Sequence, residues 1–350
     1  MAHLIYTTDP SPIRTAVIGY GYWGPNLVRN VIERPEMEFA GLCEQDPARA
    51  AAFSARVPGA PVFTDAREVV ENPDIDAVII ATPPRTHHAL ASQALRAGKH
   101  VLVEKPLAKT AAEARDLISL ASAAGLVLMP GHTFLYSPPV NKVKELVDSG
   151  TLGEIYFATS SRMNLGKYQT DGVICDLAPH DLSILLYLLE QRITQVSASA
   201  RSVFQDGVPE VAFLALTFES GTTANIQVSW LAPRKVRETL IVGSQRMVQY
   251  DDTANDESVR VYDRGMDFTA PTTFGEHQLS YRSGDIVIPR VGAAEPLGLE
   301  LEDFARSIRT GEAPRSHAEL GYEIVAVVDA AETSLANNGA PVTIEQLMVA

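Results

Sequence analysis

Hydrophobic and polar positions follow one rhythm in the first 130 residues and another after it. From Ile13 onward, short continuous apolar runs alternate with longer segments whose apolar residues recur at helical spacing. The runs predict strands starting at Ile13 and over 38–43, 74–81, 99–103 and 126–129. The longer segments predict helices over 25–33, 48–54, 89–97 and 111–124. Gly98 and Gly125 stand where helix-stopping glycines belong. Strands without polar alternation need cover on both faces, so this half reads as α/β, a doubly wound parallel sheet. Pro138-Pro139 precede a predicted helix over 140–148, and the pattern then changes to alternation. Strands are expected over 154–162, 193–204, 211–218, 222–231 and 236–242. Their short connections predict an α+β region with an open, mostly antiparallel sheet. Helices over 177–189 and 299–308 are expected to cover one face of that sheet, and a last helix over 321–336 to pack on the same half. Residues 251–298 are polar and turn-rich and say least. The expected division is 1–132 and 133–350.

Composition narrows the class. A chain of 350 residues exceeds what one core usually serves. Its 46% hydrophobic and 21% charged content, with no evident run of about 18 apolar residues, predicts a soluble protein without a membrane span. The first dozen residues lack the basic and apolar regions of a secretory signal and are expected to form a short extension. Net charge of −14 argues against nucleic acid as partner. Cys43 and Cys175 are far apart and without metal-ligand spacing, which suits the cytoplasm and implies neither a disulfide nor a metal.

Three places carry candidate chemistry. The first run ends in Gly19-x-Gly21-x-x-Gly24, with Tyr22 and Trp23 inside it and a helix after it. One glycine permits the tight turn, one lets backbone approach a pyrophosphate, and one lets the helix pack closely. Glu44 closes the second strand, where a carboxylate reads the ribose 2′-hydroxyl and repels a 2′-phosphate; no arginine follows directly, so the reading is NAD over NADP. The second place is Glu104-Lys105-Pro106, at the carboxyl end of the strand over 99–103, where open α/β sheets bind ligands. Taken alone, it reads equally as a solvated turn with an ordinary ion pair. The third is Asp176-x-x-x-His180. If a helix begins at Asp176, Pro179 falls in its first turn and the acid and imidazole share one face. A carboxylate beside an imidazole suits acid–base work, but an N-cap Asp176 and a satisfied core His180 account for the same spacing.

The Glu104-Lys105-Pro106 signature resembles that of the glucose-fructose oxidoreductase, inositol dehydrogenase and MocA family. The resemblance covers nearly the whole chain, strongly over 13–184 and more thinly after Asp251. It implies an N-terminal Rossmann domain for NAD and a C-terminal domain for substrate binding and oligomerisation. Lys105 then lies between nicotinamide and substrate hydroxyl, with a Lys-Pro bond that is often cis. Thr82-Pro83 runs under the cofactor with His87 near it, although by position alone His87 is simply the residue opening a helix. Asp176 and His180 complete the site with Lys105. Arg162, Asn164, Tyr168, Lys235 and Arg237, within segments similar to nucleotide-sugar members, are the candidate substrate contacts. Arg234, Lys235 and Arg237 equally read as a solvated basic edge. The implied activity is hydride transfer at a secondary alcohol or ketone of a sugar, with nucleotide-linked sugars favoured, on which such members often act at C3, and inositol or free aldoses as the alternative. A ligand-sensing regulator without turnover is the reading from another class, and a recycled, tightly held NAD a third. A homo-dimer or homo-tetramer is expected.

Overall fold

The computed structural model describes residues 11–166, 169–269 and 278–344, which fall into two compact units, 11–136 with 294–326, and 137–293 with 327–344. The expected N-terminal extension therefore lies almost wholly outside the described residues.

In the first unit β1 (Ile13–Ile18), α1 (Gly24–Glu33), β2 (Met37–Cys43), α2 (Pro47–Arg56), β3 (Val62–Phe63), α3 (Ala66–Val70), β4 (Ala77–Ile80), α4 (His87–Arg96), β5 (His100–Glu104), α5 (Ala111–Ala124) and β6 (Leu128–Gly131) follow one another. The six strands are all parallel, in the order β3-β2-β1-β4-β5-β6. Ala16, Val17, Val78, Ile79 and Val101 are wholly buried although they point to alternate faces, as a sheet covered on both sides requires. The helix ends follow local chemistry. The Thr110 hydroxyl accepts from the Glu113 amide to start α5, and Gly125, with φ +65°, ends it. Strand order reverses between β1 and β4, so a crevice opens at their carboxyl ends.

The second unit opens with α6 (Pro138–Asp148), whose two prolines occupy first-turn positions where no N–H is missed. β7 (Ile155–Leu165), α7 (Gly172–Leu189), β8 (Ile193–Arg201), β9 (Val211–Phe218), β10 (Thr223–Ser229), β11 (Leu231–Gly243), β12 (Met247–Asp251), β13 (Val259–Thr269) and β14 (Gln278–Val287) come next. They are followed by α8 (Pro296–Thr310), α9 (Ala318–Ala336) and β15 (Val342–Thr343). The nine-stranded sheet runs β14-β13-β12-β11-β7-β10-β9-β8-β15 and is antiparallel except where β7 and β10 pair in parallel. α7 lies against β7, β9 and β10.

Three expectations change. α7 begins at Gly172, not at Asp176, so Asp176 is no N-cap and Pro179 sits mid-helix. Interior proline is tolerable here because the surrounding residues of α7 are buried in the core, which holds the helix in place of the lost bond to the Cys175 carbonyl. α7 is also long and apolar enough to cross a bilayer, yet most of it is buried inside the second unit. The helix expected over 299–308 to cover the antiparallel sheet belongs to the first unit: Arg29 pairs with Glu295 and Arg34 with Glu302, tying α8 to α1. α9 is shared in sequence, with 318–326 in the first unit and the remainder in the second. The turn-rich stretch after Asp251 holds the β13–β14 pair.

Candidate functional site

In the first unit the functional side chains gather at the carboxyl ends of the strands. After β1 the chain turns at Gly19, φ +102°, whose N–H donates to the Cys43 carbonyl at 2.8 Å. A Cβ there would sit 2.6 Å from the Ala81 carbonyl oxygen, and one on Gly24 would sit 2.5 Å from that of Gly19. Both are therefore structural demands. Gly21 differs: nothing lies within 4 Å of its Cβ position, so the backbone is bare towards open space. α1 starts with no side-chain cap and no acid in its first turn, leaving its amides and dipole for an anion. Tyr22 is 88% exposed and meets Trp23 edge-on, their ring centroids 5.9 Å apart.

Glu44, buried after β2, takes two backbone bonds, from the Tyr20 amide to Oε2 at 2.7 Å and from the Asp46 amide to Oε1 at 2.8 Å. Its carboxylate is fixed at the end of the glycine turn, with lone pairs left to accept from a diol. After β4, Thr82 Oγ1 accepts from Thr86 Oγ1 at 2.7 Å, and Pro83 leads into a short 3-10 turn before α4. His87 is buried with both ring nitrogens 2.8 Å from carbonyl oxygens, those of Thr82 and Pro106. Burial holds its imidazole below the ordinary range, against the pull of those two carbonyls.

β5 ends in Glu104, and the Lys105–Pro106 bond is cis. Among the described residues Glu104 Oε2 accepts one long bond, 3.3 Å, from the Lys105 amide, and burial pushes its carboxyl up to about 7 despite the adjacent ammonium. Across the sheet Glu104 faces Gly131 of β6. Just beyond, His132 is buried with neither ring nitrogen partnered, and burial together with the Lys105 charge drives it down to about 3. Thr133 Oγ1 donates to Glu300 Oε2 at 2.8 Å, and the wholly buried Glu300 carboxyl is raised well above the usual range, with Glu104 adding to the rise. Lys105 thus emerges beside two buried carboxyls that burial holds above the usual range and a buried imidazole that burial holds below it.

In the second unit Asp176 and His180 lie four apart on α7, both half-buried. Asp176 Oδ2 accepts from the indole Nε1 of Trp230 at 3.1 Å. Arg162 is 4% exposed, its Nε bonded to Asp181 Oδ2 at 2.8 Å, while Ser160 donates to the other oxygen. Arg237 pairs with Asp252 at 2.8 Å.

Two family models match the chain, one described as an oxidoreductase family with an NAD-binding Rossmann fold over 13–132, the other as the GFO/IDH/MocA C-terminal domain over 140–249. A solved candidate oxidoreductase from Magnetospirillum magnetotacticum MS-1 is 31% identical over 91% of this chain and 99% of its own, with a TM-score of 0.77. The chain belongs to the Gfo/Idh/MocA family. Curated relatives include the dTDP-3,4-didehydro-2,6-dideoxy-alpha-D-glucose 3-reductase of Saccharopolyspora spinosa, 29% identical over 86% of this chain and 89% of that enzyme. Another, the 1-carboxy-3-chloro-3,4-dihydroxycyclohexa-1,5-diene dehydrogenase of Comamonas testosteroni, is 32% identical over 63% of this chain, which spans 58% of that protein.

As a Gfo/Idh/MocA oxidoreductase the chain is NAD-binding, and its first unit suits that group: a glycine cradle with one bare position, an uncapped helix and a fixed carboxylate. The predicted cofactor residues Gly19, Gly21, Tyr22, Trp23, Gly24, Glu44, Thr82, Pro83, His87, Glu104 and Lys105 all lie at strand ends or in the turns and helix starts that follow them in this one unit. His87 and Glu104 face inward, so their side chains bear on the protein itself. Of the substrate candidates, Arg162 is committed to a buried ion pair, Arg237 is neutralised by Asp252, Asn164 is half-buried and Lys235 is exposed. Tyr168 lies outside the described residues. His132, Glu300 and Trp230 were not anticipated as site neighbours. Glu300 does leave a trace in the sequence, an acid on the apolar face of α8 beside Leu297, Leu301 and Phe304. Among the described residues no His, Cys, Asp and Glu cluster could hold a metal.

Proposed function

We propose that this oxidoreductase moves hydride reversibly between NAD and a secondary alcohol carbon, C3, of a nucleotide-linked sugar. The observation that carries the reading is the Asp176–His180 pair on one face of α7, with the acid held by an indole, in a chain of an NAD-binding family. His180 takes the hydroxyl proton as the carbon–hydrogen bond breaks, Asp176 orients the imidazole and stabilises its protonated form, and the Lys105 ammonium hydrogen-bonds the reacting oxygen. The Gly19–Gly24 turn and α1 hold the pyrophosphate, Glu44 reads the ribose and favours NAD over NADP, and Thr82 with Pro83 lies along the nicotinamide side. Bound NAD supplies the hydride acceptor. On this reading the first unit, 294–326 included, serves the cofactor and the second unit the sugar, and the enzyme works in the cytoplasm as a homo-dimer or homo-tetramer. The nucleotide-sugar assignment is supported by the S. spinosa relative, which acts on a dTDP-sugar.

The test mixes the protein and NAD with pooled UDP-sugars, dTDP-sugars, inositols or aldoses and follows nicotinamide absorbance. NADH should appear with a nucleotide-sugar pool, and free UDP or dTDP should inhibit. Lys105→Ala and His180→Ala should each lose about 10³-fold in turnover while NAD still binds. A signal from inositols or aldoses alone overturns the substrate class, and full turnover in His180→Ala overturns the roles.

A further inference from the structure

The indole of Trp230 is buried to 3% exposure at the join of β10 and β11, and its backbone is held from both sides. The Trp230 N–H donates to the Glu210 carbonyl at 2.9 Å, and its own carbonyl accepts from the Gly166 N–H at 3.1 Å. Its ring is held as firmly: a Cβ on Gly166 would stand 2.8 Å from Trp230 Cδ1, so the position is kept bare against the indole. The single polar atom, Nε1, has the Asp176 carboxylate as acceptor at 3.1 Å.

We propose that Trp230 is a positioning residue for the Asp176–His180 pair, fixing the carboxylate through its indole N–H, and that Gly166 stays small to seat the ring. The inference rests on the roles given above to Asp176 and His180. An indole N–H can only donate and an ionised carboxylate can only accept, so the contact has one polarity and no alternative state. A serine or a water in that place could turn round; a wedged indole cannot. One Asp176 oxygen is thereby committed to Trp230, and the acid is left a single way to face His180, one helical turn on.

The experiment is a double-mutant cycle on the full-length protein with whichever substrate yields NADH. Trp230→Phe keeps the ring and removes the donor. It should lower kcat 10- to 100-fold, while the dissociation constant for NAD and the thermal midpoint stay close to those of the parent. In the Asp176→Asn background the same change should cost less than about twofold, because the partner it serves is already lost. Gly166→Ala, which pushes on the ring while keeping its N–H donor, should show the same selective loss and the same dependence on Asp176, and it provides the measurement if the phenylalanine protein folds poorly. An equal loss in both backgrounds would mean that Trp230 merely packs, and overturns the proposal; so does unchanged kcat in Trp230→Phe. Full turnover in Asp176→Asn alone is a different failure, since it removes the role of Asp176 itself and the inference with it.

Discussion

Glu44 and Glu104 are the same residue type at the carboxyl ends of two strands of one sheet, each 8% exposed, and they end in opposite conditions. Glu44 receives two backbone N–H groups at 2.7 and 2.8 Å. Glu104 receives one at 3.3 Å and has the Glu300 carboxyl for company, and burial takes it up to about 7. The difference teaches that burial by itself does not assign a carboxyl its work. The supply of donors does: with two, the acid is set to accept from a ligand, and with almost none its ionised form is disfavoured and its proton held to higher pH.

The largest test of this contrast is Glu44→Ala, expected to weaken NAD binding 10- to 100-fold in titration with little change in kcat, and to narrow the gap between NAD and NADP. Unchanged NAD affinity would break the comparison on the Glu44 side. Next is Glu104→Gln. A carboxyl whose pKa rises on folding stabilises the folded state below its unfolded value, and that contribution is lost as pH climbs through the folded one. Here the window runs from the ordinary 4.5 to about 7. Chemical denaturation across it should show Glu104→Gln gaining on the parent as pH rises, by on the order of 1–3 kcal/mol. A gap that stays flat with pH would mean Glu104 is ionised when folded. The smallest effect belongs to Arg49→Ala. Its guanidinium is 4.0 Å from Glu44 and more than half exposed, so NAD affinity should move by less than about threefold. A larger shift would make the side-chain partner, and not the two amides, the group that sets Glu44.

Much of this was legible in the chain. Continuous apolar runs and glycine punctuation locate all the main parallel strands, because a strand covered on both faces must be apolar throughout. Gly19, Gly21, Gly24 and Glu44 were readable because close backbone approach admits few residue types. What stayed hidden is long-range. Glu300 reaches Thr133 across 167 positions, and Trp230 reaches Asp176 across 54; no local pattern announces either meeting. The start of α7 was misplaced because Pro179 suggests a helix beginning, and burial overrode that local preference. α8 carries an apolar face that any neighbouring layer could have taken, and its partner α1 was set by ion pairs formed 266 and more positions away.

That pairing bears on how the protein is made. When synthesis has passed β6 the first unit has its whole sheet but not α8, so the face of α1 that meets Glu295 and Glu302 waits while the entire nine-stranded half, save its last short strand, leaves the ribosome. Its closing contacts are among the most distant in sequence the chain possesses, the slow kind for a folding polypeptide. A fragment cut after the antiparallel sheet would therefore be short of parts for the half made first, and separate expression of the cofactor unit calls for 294–326 to be spliced back, not for a simple truncation.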